Sequence, residues 1–299
     1  MQSETTILYG KPVVQHIRER LKADIQSLAT KGIIPSLAVI LVGEDPASRV
    51  YVRNKEKAFK ELSCYSKTFQ FPTTVTETDL INLIQSLNQS TEFHGILVQL
   101  PLPSHLNEKL ITNTVSPDKD VDGFHPMNLG LLLQGIPRFV PCTPNGIIEM
   151  LKFYNITTEG KHVVILGRSN IVGKPMFALL IQKFKMGNST VTVCHTKTQS
   201  LENITKQADI LIVASGVPHL VNGNMVKAGV HIIDVGINQV KDDSVKGYKL
   251  TGDVDYDSVL GIAKSISPVP RGVGPLTITM LASNTIQAAK NNLRPWFNG

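Results

Sequence analysis

The sequence predicts an α/β protein of two lobes, each built on a parallel sheet. Short, almost wholly apolar runs recur along the chain and amphipathic stretches separate them. A loop-rich interval from Pro117 to Pro141 breaks this rhythm before it resumes. Strands with no polar face belong to sheets covered on both sides, and alternation with helices makes such sheets parallel. At about 150 residues per domain, the 299 residues hold two.

In chain order, a long helix runs from about Lys11 to Ala29. Ser36 to Val42 is a buried strand, closed by the turn Gly43-Glu44-Asp45-Pro46. Then come a helix from Ala47 to Leu62, a strand from Tyr65 to Phe71, a helix from Asp79 to Asn88 and a strand from His94 to Leu100. Thr143-Pro144 starts a helix through Tyr154, since Thr at the N-cap with Pro at the first helical position is a start signal. The second lobe offers a strand from His162 to Leu166, a helix from Val172 to Phe184, and strands at Thr190 to Cys194, Asp209 to Ala214 and His231 to Val235. The last helix, about Leu276 to Leu293, is expected to pack back on the first lobe. The lobes are therefore placed at 1–145 plus 280–299 and at 146–279, with no obvious internal repeat.

Composition narrows the function. Hydrophobic residues are 42% and charged residues 18%, as in a folded globular chain. Thirty Lys and Arg against 24 Asp and Glu leave a net charge of +6, spread without a basic block, and aromatics are only 6%. That argues against nucleic acid and suits anionic small molecules. Cys64, Cys142 and Cys194 form no C-x-x-C pair, which points to a reducing compartment and away from a zinc site; no metal is expected. The polar start from Met1 to Lys11 and the lack of an apolar run near ~20 residues lead to the expectation of a cytoplasmic protein without a membrane segment.

The run from Lys161 to Pro175 has the context of a nucleotide-binding turn: a strand ends at Gly167 and a helix opens near Gly173. Phosphate there would meet free backbone N–H groups and the positive end of the helix. It is neither a Walker A loop, because Pro175 follows Lys174, nor G-x-G-x-x-G, because Ser169 holds the second glycine's place. A tight turn with no ligand is the other reading of these glycines. An NAD site usually carries Asp or Glu at the end of the next strand, whereas this chain has Cys194-His195-Thr196-Lys197. The Arg168 guanidinium and the Thr196 hydroxyl suit a 2′-phosphate, which favours NADP in a Rossmann-like lobe. His195 is read as a polar turn residue.

In the first lobe, Tyr51 and Lys55 are four apart on a predicted helix and share a face. Val98-Gln99-Leu100-Pro101 ends a buried strand with a polar amide, where parallel sheets commonly bind ligands. Lys119-Asp120-Val121-Asp122-Gly123 is a dense acidic turn whose spacing matches no EF-hand. Pro268 to Pro275 is a rigid loop that either closes over a ligand or merely connects the lobes.

Taken in order, Tyr51 to Lys55, Gly95 to Pro103, Lys119 to Gly123, Pro141 to Gly146, Gly167 to Pro175 and Pro268 to Pro275 resemble the bifunctional methylenetetrahydrofolate dehydrogenase/cyclohydrolase family over nearly the whole chain. The resemblance implies a three-layer α/β catalytic lobe that binds folate, a Rossmann-like NADP lobe, and a homodimer with folate in the cleft between lobes. It makes Lys55 the central catalytic group, with Tyr51 along the aminobenzoyl ring, Gln99 bonded to Lys55 and Asp122 on the pterin. It adds Val98, Leu100, Pro270, Arg271, Gly272, Val273 and Gly274 to the substrate site, and Gly167, Arg168, Ser169, Gly173, Thr196 and Ile237 to the NADP site. Two residues depart from the family pattern. Arg271 stands where glycine is usual, so a positive φ there strains the turn, while a negative φ brings a cation near folate. Thr196 replaces a common Ser and keeps the hydroxyl. The alternatives are a monofunctional NAD(P) dehydrogenase, against which Lys55 and Gln99 speak, a dinucleotide-binding regulator without chemistry, and a shikimate- or amino-acid-dehydrogenase-like enzyme.

Overall fold

The structure is a computed structural model that describes residues 4–243 and 247–291, with Ala47 as backbone only. The expected helix end at Leu293, and the 280–299 assignment beyond Asn291, lie outside the described residues. The elements are β1 (Thr6–Ile7), α1 (Gly10–Ala29), β2 (Ser36–Val42), α2 (Pro46–Glu61), β3 (Tyr65–Phe71), α3 (Glu77–Gln89), β4 (Gly95–Val98), α4 (Glu108–Thr114), α5 (Pro126–Leu133) and α6 (Cys142–Phe153). They continue with β5 (His162–Leu166), α7 (Gly173–Leu180), β6 (Thr190–Cys194), α8 (Leu201–Thr205), β7 (Ile210–Val213), β8 (His231–Asp234), β9 (Asn238–Lys241), β10 (Tyr248–Thr251), α9 (Tyr256–Val259), β11 (Ser265–Ile266) and α10 (Gly274–Asn291).

One compact unit comprises His16–Cys142 and the chain from Ile278 on. Its parallel sheet has the order β3-β2-β4, with Ser36 opposite Tyr65 and Leu37 opposite Gly95. All seven residues of β2 are buried. Ala38, Ile40 and Val42 pack with Leu80, Ile84 and Leu87 of α3 and with Phe93 and Ile111. Leu37, Val39 and Leu41, on the opposite face, are buried too, so the sheet is covered on both sides, each large side chain contributing about 1.5–3 kcal/mol by leaving water. Asp45 caps α2 by accepting from the Ser48 N–H at 2.7 Å, and Pro46 occupies its first turn.

The acidic turn lies along β4. Ile96 N–H donates to the Lys119 carbonyl at 2.8 Å and Ile96 bridges Asp120. Lys119 is buried, and its ammonium donates to the Leu87 carbonyl at 2.7 Å and to the Ser90 carbonyl, which closes the C-terminal end of α3 with a cation. The Asp120 carboxylate accepts from the N–H groups of Phe124 and His125 and from the Asn128 amide. Both residues are structural, which leaves Asp122 as the turn's carboxylate without such duties.

The other unit comprises the N-terminal segment through Gln15 and Thr143–Thr277. Its six-stranded parallel sheet has the order β1-β11-β8-β7-β5-β6, and β9 and β10 form a separate antiparallel pair. Strand order reverses at β5, with β6 on one side and β7 on the other, the point where doubly wound sheets bind ligands.

Several expectations need correcting. The N-terminal segment goes with this second sheet, because β1 pairs with β11 and Thr5 Oγ donates to the Ala263 carbonyl at 2.8 Å; the division falls inside α1 and α10. The interval from Pro117 to Pro141 contains α5, started by the His125 ring accepting from Met127 N–H and by Pro126. Helix α6 begins at Cys142, and the Thr143 hydroxyl pairs with the Thr277 hydroxyl at 2.9 Å in place of a cap. Helix α7 stops at Leu180, short of Phe184, because the chain folds tightly over Gln182 at Gly187 and at Asn188, whose φ is 54°.

Candidate active site

In the first unit, α2 presents Tyr51 and Lys55 one turn apart. Lys55 is half-buried, and its Nζ donates to Gln99 Oε1 at 2.7 Å. Gln99 Nε2 donates to the Leu100 carbonyl at 2.7 Å, which fixes the amide with its oxygen toward the lysine. Gln99 follows β4 directly, and its N–H still donates to the Ile40 carbonyl at 2.9 Å, so the amide stands on the sheet's carboxyl edge. Asp122 lies close enough for its charge to act on Lys55. Burial pushes the Lys55 ammonium below the ordinary lysine range, and the charges of Asp122 and Cys142 oppose that shift. Burial likewise pushes the Asp122 carboxyl up, against the pull of Lys55. Tyr51 is 41% exposed, an aromatic ring on the surface beside Lys55. Val98 and Leu100, expected at the substrate, send their side chains into the core with Leu106 and Ile111, which leaves their backbone for a ligand.

Two further residues complete this arrangement, and sequence reasoning missed both in these roles. Cys142 is buried, and its thiol donates to the Val121 carbonyl at 3.5 Å. The Asn284 amide of α10 donates to the Val121 carbonyl at 2.8 Å and the Val140 carbonyl at 2.9 Å, and its nitrogen lies 3.7 Å from Cys142 Sγ. The signal available was a carboxamide amid the apolar run Met280-Leu281-Ala282 of a buried helix. Gly123, at φ 77°, lets the turn pass against Pro141, whose nitrogen would lie 3.0 Å from an added Cβ.

In the second unit, Gly167 (φ 139°) ends β5, and a Cβ there would meet the Ala214 carbonyl oxygen at 2.2 Å. A Cβ on Gly173 would meet the Gly167 carbonyl oxygen at 2.1 Å. Both glycines are required by close backbone approach, as a strand-loop-helix nucleotide cradle demands. Ser169, at the place of the missing second glycine, turns its Oγ to accept from Val172 N–H at 3.0 Å. Arg168 and Thr196 stand the same two residues beyond the paired Leu166 and Cys194, so they share the sheet edge, and both are exposed. These residues fit NADP: a cradle with no room for Cβ atoms, and an exposed guanidinium and hydroxyl on the same sheet edge, the chemistry that a 2′-phosphate requires. His195 is the expected turn residue, its ring accepting from Lys197 N–H and its own N–H donating to Thr198 Oγ.

The rim of this site rests on two buried carboxylates. Asp253 accepts from Ser215 N–H, Ser215 Oγ, Gly216 N–H and the Asn238 amide, and Asp234 accepts from the N–H groups of Gly236, Asp253 and Val254. Burial raises Asp234 to about 7. Together they hold the loop after β7 and the turn that leaves Ile237 49% exposed. The Pro268–Pro275 loop, with Pro270, Gly272, Val273 and Gly274, belongs to this unit. Arg271 has φ 89°, so the strained alternative holds. Its carbonyl accepts from Gly10 N–H at 2.8 Å and its guanidinium sits 6.0 Å from the Tyr9 ring centroid.

Sequence comparison matches residues 8–122 to the family model described as tetrahydrofolate dehydrogenase/cyclohydrolase, catalytic domain, and residues 141–293 to its NAD(P)-binding domain. The chain is 51% identical to the bifunctional protein FolD of Bacillus anthracis over 284 residues, 95% of this chain and 96% of that one. The crystal structure of the bifunctional FolD methylenetetrahydrofolate dehydrogenase/cyclohydrolase from Campylobacter jejuni superposes with a TM-score of 0.90 at 47% identity, covering 96% and 99% of the two chains. The Trypanosoma brucei methylenetetrahydrofolate dehydrogenase-cyclohydrolase, solved with NADP cofactor and an inhibitor, gives 0.91 at 36% identity, covering 98% and 100%.

Proposed function

The chain belongs to the tetrahydrofolate dehydrogenase/cyclohydrolase family, and on that premise we propose that Lys55, Gln99, Asp122 and Tyr51 form one site for two consecutive reactions. The enzyme oxidises 5,10-methylenetetrahydrofolate to 5,10-methenyltetrahydrofolate with NADP, then hydrolyses that cation to 10-formyltetrahydrofolate. The observation that carries the site assignment is the 2.7 Å bond from Lys55 to Gln99, formed partly out of water beside Asp122.

NADP, when bound, accepts the hydride from the methylene carbon. The protein's part in that step is alignment. Asp122 accepts from the pterin N–H groups, Tyr51 lies along the aminobenzoyl ring, and the backbone at Val98 and Leu100 completes the folate contacts of the first unit. Gly167, Arg168, Ser169, Gly173, Thr196 and Ile237 hold the dinucleotide, with Arg168 and Thr196 on the 2′-phosphate.

Hydrolysis needs proton transfer. Neutral Lys55 takes a proton as water adds to the methenyl carbon. The resulting ammonium then gives its proton to N5 while the carbon–N5 bond breaks, and the hydroxyl proton leaves to solvent as the formyl carbonyl forms. A lysine lowered by burial carries out both transfers nearer neutrality than an exposed one. Gln99 holds the amine in place between the two transfers. A dehydrogenase without hydrolysis would have no use for this pair.

The reading extends to a cytoplasmic homodimer that binds neither nucleic acid nor membrane; no described helix is long and apolar enough to cross a bilayer. The test is an assay of methylenetetrahydrofolate with NADP and, separately, NAD, following reduced cofactor and methenyl absorbance. The expected result is NADPH with 10-formyl product and little methenyl accumulation. No reduction with either cofactor rejects the reading in favour of a regulator.

A further inference from the structure

We propose that Asn284 is a positioning residue for folate binding: its amide clamps the peptide that carries Asp122 and so sets the aim of that carboxylate. The inference rests on the proposed contact between Asp122 and the pterin. Asn284 sits near the middle of the α10 segment that belongs to the first unit, and its side chain is only 6% exposed. A buried carboxamide in an apolar helix must find partners. Its two N–H groups find them on carbonyls 19 residues apart in sequence, Val121 at 2.8 Å and Val140 at 2.9 Å.

The position of the first carbonyl gives the amide its leverage. The Val121 carbonyl belongs to the peptide whose nitrogen is that of Asp122, so holding it fixes the plane from which the Asp122 side chain departs. The Cys142 thiol donates to the same carbonyl at 3.5 Å, a longer contact from a weak donor. Asp120 organises the residues that follow, Phe124, His125 and Asn128, and Lys119 is spent on the end of α3. The second carbonyl, Val140, lies two residues before Cys142, whose thiol donates to the Val121 carbonyl and whose sulfur accepts from the same Asn284 nitrogen at 3.7 Å. One amide therefore ties the peptide that Asp122 grows from to the Val140–Cys142 segment.

The test is a double-mutant cycle on the full chain, reading the Kd of tetrahydrofolate by calorimetry, with the Kd of NADP as internal control and the melting temperature as a fold check. Asn284→Ala is expected to weaken tetrahydrofolate about tenfold, the cost of one misplaced charge-assisted hydrogen bond, with NADP within about twofold. In an Asp122→Ala background the same substitution is expected to change tetrahydrofolate binding by less than about twofold. Asn284→Gln, which keeps both donors on a longer stem, is expected to recover part of the loss. If Asn284→Ala does not fold, the cycle is run with Asn284→Ser. Equal weakening in both backgrounds, or an equal loss of NADP and tetrahydrofolate, overturns the proposal and makes Asn284 a structural residue. Asp122→Ala leaving tetrahydrofolate unchanged overturns the proposed pterin contact instead. Asp122→Ala weakening it while Asn284→Ala does not overturns this inference alone.

Discussion

Burial acts in opposite senses on Lys55 and Asp122, lowering the amine and raising the acid, and each shift sets one limb of the pH dependence. The hydrolytic step needs neutral Lys55, so its rate rises as pH climbs through the lysine's pKa, and burial moves that rise below the ordinary value near ~10.4. The carboxylate of Asp122 is lost as pH falls through its raised pKa, so folate affinity weakens on the acid side earlier than for an ordinary aspartate. The pH profile of kcat/KM for methenyl hydrolysis checks both, and Lys55→Met removes the alkaline rise. At the cofactor, Arg168→Ala is expected to raise the NADP KM about tenfold or more while changing the NAD KM little, since only NADP offers the 2′-phosphate; equal losses sink the assignment. Arg271, held at φ 89°, gives a stability test. Arg271→Gly should be more stable than Arg271→Ala by about 1 kcal/mol, because both lose the Tyr9 ring contact but only glycine relieves the backbone. Thermal melting of the two variants decides it. At this scale Lys55 and Gln99 stood out in the sequence on a helix face and at a strand end, whereas the acidic turn did not distinguish Asp122 from Asp118 and Asp120, and only the family resemblance picked it out. Cys142 and Asn284 did not stand out, since a buried thiol and a lone carboxamide acquire their roles only from what they touch.

Among the elements, legibility followed length and flanking turns more than burial. Strands β2, β3, β5 and β6 begin and end where their residues indicated, β2, β5 and β6 as apolar or β-branched runs and β3 as a run that mixes polar residues with aromatics and Thr. Strands β1 and β11 have two residues each, too short to show any period. Hairpin strands β9 and β10 are polar and largely exposed, and α5 is an almost continuous apolar run without a helical stripe. The glycine loop yields the prediction for this scale. Gly173→Ala places a methyl 2.1 Å from the Gly167 carbonyl oxygen. The start of α7 must shift away from β5, which costs about 1–3 kcal/mol. Calorimetry should find NADP binding weakened and tetrahydrofolate binding spared; unchanged NADP affinity would mean that the loop is a turn and not a cradle.

At the scale of the molecule, two α/β units were foreseeable from the alternation, and the last helix, expected to pack back on the first lobe, does join the first unit from Ile278. The N-terminal segment's membership in the second unit was not foreseeable, because pairing between Thr6 and Ser265, 259 residues apart, leaves no trace in local pattern. The account's central claim is that one lysine in the first unit carries the hydrolytic half of the reaction while the dinucleotide site in the second is untouched by it. The most direct measurement supplies methenyltetrahydrofolate to Lys55→Met and follows its conversion to 10-formyltetrahydrofolate against the uncatalysed background, with NADP affinity measured on the same sample. The account predicts hydrolysis at the background rate and an unchanged Kd for NADP. Hydrolysis at the wild-type rate by that variant would contradict it.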